Sequence, residues 1–271
     1  MANSSEDDGC LDLKSFLRST DAVSPLIAMM LLIVIVTSTI AVIYAAGLPR
    51  IEEAREVANV GNIVNVFGVL QSDIKQVAQG PNTTGAGRMT KIIMSEGYLY
   101  VRPARVVNGT GYIEYNIGGS IVAYENGAVF LKYPYQEYSQ VVEDPRMYII
   151  LDEEDVTHVH IHSIVLNGTN KSVGGSGLAQ IAFRRGNVSF GPGDVFKGGL
   201  QMTNVSFTIE STFYRGWHDY FEEMLDGAGV TYTISGQDIN PVSILIEGNN
   251  ANPDAFDVVL YYKETEVIAT V

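Results

Sequence analysis

The feature that most constrains this chain is a run of 27 residues, Ala22 to Leu48, without one charged side chain. A helix of that length rises roughly 40 Å, whereas the hydrocarbon core of a bilayer is about 30 Å thick. The run therefore predicts a helix that can cross a membrane. Because polar, strand-patterned sequence follows it, we expect a short leader, one apolar helix and a large head.

Three interpretations of the run are open at the start. A cleaved secretory signal has a basic leader and an apolar core of about 7–15 residues. Here the first 21 residues hold two basic and five acidic side chains, and the apolar run is far longer. A cut after Ala45-Ala46-Gly47 is therefore disfavoured. An ordinary single-pass anchor and a pilin-type leader, cut ahead of the run, remain.

The residues that open the run favour the pilin-type leader. The stretch Asp21-Ala22-Val23-Ser24-Pro25-Leu26-Ile27-Ala28 resembles the Ala/Gly-Val-Ser-Pro-Val-Ile-Gly opening of archaeal type IV pilins and pilin-like proteins, which carry a class III signal peptide. The resemblance implies cleavage by a prepilin peptidase in the region Asp21, Ala22, Val23, Ser24. A proline suits the first helical turn, where its missing N–H would have no partner.

The resemblance also implies a structural function, as a major or minor pilin or a pseudopilin of a cell-surface filament. After processing, the apolar helices would leave the membrane and bundle in a filament core, as a homo-oligomer or with other pilins. The alternative is a single-pass membrane-anchored adhesin or receptor that does not polymerise. The residues expected in the filament core are Pro25, Leu26, Ile27, Leu31, Ile33, Ile35, Ile40 and Ile43.

The helix is predicted to continue to Gln79, with a kink near Gly47 and Pro49. Apolar residues recur there at spacings of three and four, which is typical of a helix with one buried face. We expect this stripe to pack against the protein's own sheet; a coiled coil with a second copy is the alternative. The stripe consists of Val60, Ile63, Phe67, Leu70, Ile74 and Val77.

The remaining sequence predicts a mainly antiparallel β head with one short helix, and hence an α+β fold. The expected organisation is a leader at 1–22, the apolar helix at 23–48, its amphipathic continuation at 49–79 and the head at 80–271. Asn126-Gly127 predicts a tight hairpin, and Trp217 to Leu225 predicts the short helix. The expected strands are 98–107, 112–117, 121–124, 128–131, 147–151, 158–166, 178–183, 205–213, 230–234, 242–246 and 256–262.

A looser resemblance extends through the head. The stretches 125–129, 143–145 and 217–221 look like segments of a family of archaeal surface proteins with pilin-type N-termini. Each segment is weakly specific alone, and together they span most of the chain. The resemblance implies a surface protein and assigns no biochemical activity.

Glycosylation triplets predict that the head lies outside the cell. The chain has basic residues on both sides of the apolar run, so charge alone does not set its orientation. Six Asn-x-Ser/Thr triplets follow the run, and such acceptors belong on exposed extracellular surface. The candidate acceptors are Asn82, Asn108, Asn167, Asn170, Asn187 and Asn204.

Composition limits the partners that the head can have. The net charge is −14, of which the leader carries −3, and an acidic surface repels nucleic acid. The one cysteine, Cys10, lies in the leader, so the head forms no disulfide. We find no catalytic or cofactor-binding motif, and we expect neither an enzyme nor a cofactor. The expected partners are the membrane, other pilin subunits and the prepilin peptidase.

Three further groups of residues are candidates for chemistry or for contact. His158, His160 and His162 alternate along a predicted strand and so share one face, where two adjacent imidazoles can chelate Zn²⁺ or Cu²⁺ with an acid from residues 152–155. The alternative, which we prefer, is a half-exposed strand with solvated imidazoles and no metal. His218 and Asp219 are expected to be solvent-exposed polar side chains beside Trp217, which anchors the helix. Tyr133, Tyr135 and Tyr138 are the expected contact patch for neighbouring subunits or adhesion targets.

Overall fold

The computed structural model of the chain describes residues 25–80, 87–107, 109–190, 199–248 and 257–271. Its α+β architecture is the one predicted: a long apolar N-terminal helix precedes a mostly antiparallel β head that contains one further helix. Two compact units divide the chain, residues 1–55 and 56–271. The described part of the first unit is helical throughout.

Helix α1 spans Pro25–Gln79 and continues through Gly47 and Pro49. Gly80 closes it, because its N–H donates to the Gln76 carbonyl oxygen at 2.9 Å. The predicted stripe is confirmed in the second unit, where all six of its residues are at most 5% exposed. They share one core with strand residues of the head, so the stripe packs against the protein's own β structure, as expected.

The strands of the head, with helix α2 at Tyr214–Ala228, follow in chain order. They are β1 (Gly87–Met94), β2 (Tyr98–Arg102), β3 (Tyr112–Ile117), β4 (Ser120–Glu125), β5 (Ala128–Lys132), β6 (Gln140–Glu143), β7 (Met147–Leu151), β8 (Thr157–Gly168), β9 (Lys171–Gly174), β10 (Gly177–Phe190), β11 (Leu200–Met202), β12 (Asn204–Ile209), β13 (Thr231–Ser235), β14 (Val242–Glu247) and β15 (Val258–Thr270).

These strands form three sheets within the described residues. The first has the order β1-β10-β15-β8-β7, with β11 beside β15; β15 and β8 run parallel and the other pairs are antiparallel. The second is the meander β6-β5-β4-β3-β2-β9. The third, β12-β14-β13, shares a second core with α2.

The predicted hairpin is confirmed at β4 and β5. Asn126 and Gly127 both have positive φ, 47° and 87°, which is the backbone of a tight I′-type turn. The Asn126 side chain also accepts a hydrogen bond from the backbone N–H of Ile164 at 2.8 Å. The turn is thereby held against β8 as well as closed on itself.

Some predicted strand limits are wrong, for local reasons. β2 ends at Arg102 rather than at 107, because Pro103 has no N–H for the sheet and a turn follows. β12 ends at Ile209, where the Ser211 hydroxyl accepts the Phe213 N–H and starts the approach to α2. β15 continues to Thr270, past its charged residues, since it has strands on both sides.

Gln71 connects α1 to two of the segments that carry the looser resemblance. Its side-chain nitrogen donates to the carbonyl oxygens of Gly127 at 2.6 Å and Asp144 at 3.0 Å. The third segment lies on α2, where Tyr220 donates its hydroxyl to the Met147 carbonyl oxygen at 2.7 Å. Segments distant in sequence therefore meet around the end of β6 and the start of β7.

Candidate functional site

The first candidate site is the apolar part of α1. Residues 25–48 form continuous helix without a charged side chain, and none of the side chains from 25 to 55 is buried. By length and composition this is the one described helix that can cross a membrane. The predicted core-forming residues all lie on it as exposed side chains, Pro25, Leu26, Ile27, Leu31, Ile33, Ile35, Ile40 and Ile43. The predicted cleavage region at 21–24 lies outside the described residues.

Three consecutive hydroxyl side chains within this helix, Thr37, Ser38 and Thr39, form their hydrogen bonds internally. Thr37 donates to the Ile33 carbonyl oxygen at 2.8 Å, Ser38 to that of Ile35 at 2.9 Å, and Thr39 to that of Ile35 at 2.7 Å. Such back-bonding removes the need for water at these hydroxyls. The segment therefore meets the requirement of an apolar environment, in which each unpaired polar group is costly.

The six sequons differ in accessibility. Asn170, Asn187 and Asn204 are exposed, whereas Asn82 and Asn108 lie outside the described residues. Asn167 is half-buried, and its amide nitrogen donates to the Glu266 carboxylate at 2.8 Å. Since glycosylation requires that amide nitrogen, Asn167 is the least suited of the four described acceptors.

The histidine row of β8 does not gather its nitrogens in one place. Nε2 of His158 is 2.9 Å from the Asp152 carboxylate, and Nε2 of His162 is 3.0 Å from the Thr265 hydroxyl. His160 stacks between Tyr148 and Tyr261, with ring centroids at 4.3 and 4.2 Å. The row is thus divided among separate partners, and its central ring takes part in an aromatic column across β7, β8 and β15.

Burial and neighbouring cations keep the end of this row neutral. Burial lowers the pKa of His162 to about 4, with further contributions from Lys263, Arg146 and Arg185. Burial and then His158 lower the pKa of His160. His160, His162, Arg146 and Lys263 line an open cavity of about 830 Å³.

The predicted tyrosine patch is exposed on the connection between β5 and β6. Tyr133, Tyr135 and Tyr138 are 38%, 106% and 62% accessible, respectively. The guanidinium of Arg215 lies 4.8 Å from the centre of the Tyr138 ring and also contacts the Glu137 carboxylate at 3.0 Å. Arg215 therefore holds Tyr138, whereas Tyr135 is fully accessible for contact.

The prediction that His218 is exposed to solvent is wrong. The residue is 4% exposed, because it follows Trp217 on the face of α2 that packs into the second core. Its Nδ1 atom is buried and has no hydrogen-bond partner. Asp219 and Glu222 lie beside it, and these three residues form the one such group of clustered histidine and carboxylate atoms in the described chain. A His and a Glu four residues apart on a predicted helix would have been the sequence signal for it.

The chain belongs to a family of unknown function (DUF7289), whose profile matches residues 22–249. The match includes the apolar helix and most of the head. No curated protein and no solved structure shows significant similarity to the chain.

Proposed function

We propose that this chain is a structural subunit, a major or minor pilin or a pseudopilin, of an archaeal type IV pilus-like cell-surface filament. In this proposal a prepilin peptidase removes the leader near Asp21 to Ser24. The mature helix first resides in the cell membrane with the head outside, and it then moves into the filament core. The head forms the outer wall, where the exposed sequons carry glycans.

One observation carries the proposal, namely that the two parts of α1 differ in what surrounds them. Residues 25–48 carry no charged side chain, and the hydroxyls of Thr37, Ser38 and Thr39 are hydrogen-bonded within the helix. Residues 60–77 of the same helix present one stripe to the core of the head. A subunit that assembles through its helix requires both properties. The apolar part must leave lipid and pack against the helices of other subunits, while the amphipathic part must stay packed against the head.

Two further observations support this function. The family match begins at residue 22 and so includes the apolar helix, which is expected when the helix belongs to the working protein. Asn170, Asn187 and Asn204 are exposed, as acceptors on the outer face of a filament would be. Both observations are also compatible with the alternative, a membrane-anchored adhesin that never polymerises.

Cysteine cross-linking separates the filament subunit from the anchor. The sequence contains one cysteine, Cys10, and removal of the leader would leave a cysteine-free chain. Single substitutions such as Ile35→Cys in the apolar helix therefore report contacts between mature copies without background. The matched control is Val57→Cys, an exposed position of the same helix beyond the uncharged run.

We expect Ile35→Cys to give cross-linked dimers, the largest product that one thiol per chain allows, in filaments sheared from native cells, since packed helices bring neighbouring copies together. We expect Val57→Cys to give less of the cross-linked product. The chain should also be detected in the sheared filaments by mass spectrometry. Recovery of the chain only from the membrane fraction, with none in the sheared filaments, would favour the non-polymerising anchor.

A further inference from the structure

Helix α2 carries a buried imidazole. The side chain of His218 is 5% exposed, and its Nδ1 atom lies below the surface without a hydrogen bond. An unpaired ring nitrogen at such a place is costly, and native proteins usually pair it with a protein group, water or an ion. A ligand bound to Nδ1 would therefore stabilise the folded head.

Two carboxylates point at the same place. Oδ1 of Asp219 is 3.4 Å from Nδ1 and Oε2 of Glu222 is 3.9 Å from it. Both distances exceed the usual N–H···O range of about 2.7–3.2 Å. The three atoms all lie within 4.8 Å of one another. The carboxylates are therefore close to the imidazole but are not bonded to it.

The spacing fits a shared ion. Zn²⁺ binds imidazole nitrogen and carboxylate oxygen at about 2.0–2.2 Å, so neighbouring ligands of a tetrahedral centre lie about 3.4 Å apart. Residues i and i+4 of a helix share a face, which places His218 and Glu222 side by side. Asp219 and Glu222 are 60% and 50% exposed, and their side chains can adjust towards the ion.

We propose that His218, Asp219 and Glu222 form a binding site for a divalent transition metal, best suited to Zn²⁺. An imidazole nitrogen with two carboxylates favours Zn²⁺, Co²⁺ or Ni²⁺ over Mg²⁺ and Ca²⁺, which prefer oxygen ligands alone. Three protein ligands leave a fourth position open on the exposed side of α2. The metal links the buried imidazole to the two carboxylates on the surface of α2. This proposal does not depend on the proposed filament function.

The single tryptophan of the sequence provides the measurement. Trp217 is the neighbour of His218, so Co²⁺ bound at the site should quench its fluorescence. The full chain, freed of metal with a chelator and held in detergent micelles, is titrated with Co²⁺. We expect saturable 1:1 quenching, reversal by Zn²⁺ and no competition from Mg²⁺.

Four variants test the assignment without altering the buried histidine. Asp219→Asn and Glu222→Gln should each weaken Co²⁺ binding by at least about tenfold, the effect that even an outer partner of a metal ligand commonly has. Glu223→Gln, the adjacent exposed acid, and His160→Gln, in the histidine row, should bind as the unaltered chain does. The proposal would be overturned if the unaltered chain showed no saturable quenching. It would also be overturned if quenching persisted in both Asp219→Asn and Glu222→Gln, or if it were lost in His160→Gln.

Discussion

Two residues of the head give its stability an unusual dependence on pH. Glu125 is 5% exposed at the end of β4, where the Ser211 hydroxyl donates to its carboxylate at 2.5 Å. Burial raises the pKa of this carboxyl to about 7, although the Ser211 hydrogen bond opposes the shift. His162 is shifted the other way, to about 4. Each residue favours its neutral form in the folded head.

Replacement of Glu125 by Gln tests the first shift. The folded state holds the carboxyl proton up to about pH 7 and the unfolded state only to about pH 4.5, so stability falls as the pH rises between these values. Gln resembles the protonated acid and removes the loss. We expect Glu125→Gln to raise the free energy of unfolding at pH 8 by up to about 3 kcal/mol.

Thermal unfolding of the full chain in detergent micelles, followed by near-ultraviolet circular dichroism at pH 4 and pH 8, measures this effect. The two proteins should unfold at similar temperatures at pH 4, where the carboxyl is protonated in both states. An equal gain or loss at both pH values would show that the substitution acts by packing rather than by charge.

His162→Gln is expected to change the acid side of the same profile. An unfolded histidine binds a proton near pH 6.5, but the folded head resists it until about pH 4. His162 therefore costs stability as the pH falls through that interval. The variant should lose less stability than the unaltered chain between pH 7 and pH 5 in the same unfolding measurement. An unchanged acid slope would contradict the assignment.

At the scale of elements, the head is built on the stripe of α1. Leu70 is fully buried in the first core, whereas its neighbour Val69 is 58% exposed. Leu70→Ala is expected to cost about 2–5 kcal/mol of unfolding free energy through lost burial and the cavity it leaves. Val69→Ala, the matched control, should cost under about 0.5 kcal/mol.

Denaturant unfolding in micelles compares the two variants of α1. Equal costs would mean that the helix does not pack by this stripe. A large cost confined to Leu70→Ala would establish that the second half of α1 is a structural part of the head.

The elements that the sequence predicts are those with strong local patterns. The stripe of α1 repeats over five turns, and Asn126-Gly127 specifies its turn chemically, so both are recognisable without tertiary contacts. The strands that it misses, β1, β6, β9 and β11, are short or lie at sheet edges, where pairing with distant segments decides. β9, for example, pairs with β2, some seventy residues earlier.

The candidate sites likewise divide into those that local sequence patterns define and those that depend on contacts between distant segments. The apolar helix is predicted in full because composition alone defines it. The histidine row is recognised as a row, but its partners Asp152, Thr265 and the two tyrosines come from other strands. The burial of His218 depends on how α2 rotates onto the second core, which a helix with polar neighbours around Trp217 does not specify locally.

At the scale of the whole molecule, the chain combines a helix suited to lipid or to other helices with a head that has exposed sequons. If the head is extracellular, Asn170, Asn187 and Asn204 should be modified more fully than the half-buried Asn167. Glycopeptide mass spectrometry of the native protein measures this occupancy. Complete modification at Asn167, with none at the exposed sites, would contradict the described surface.

The mature N-terminus of the native protein shows whether a prepilin peptidase processes the chain, as the proposed filament subunit requires. Processing by a prepilin peptidase removes the acidic leader and leaves the apolar helix at the start of the chain. N-terminal sequencing of the protein from its own cells should therefore begin between Ala22 and Pro25. A native chain that still begins ahead of Asp21, or one cut at Ala45-Ala46-Gly47, would contradict the proposal of a pilin-type filament subunit.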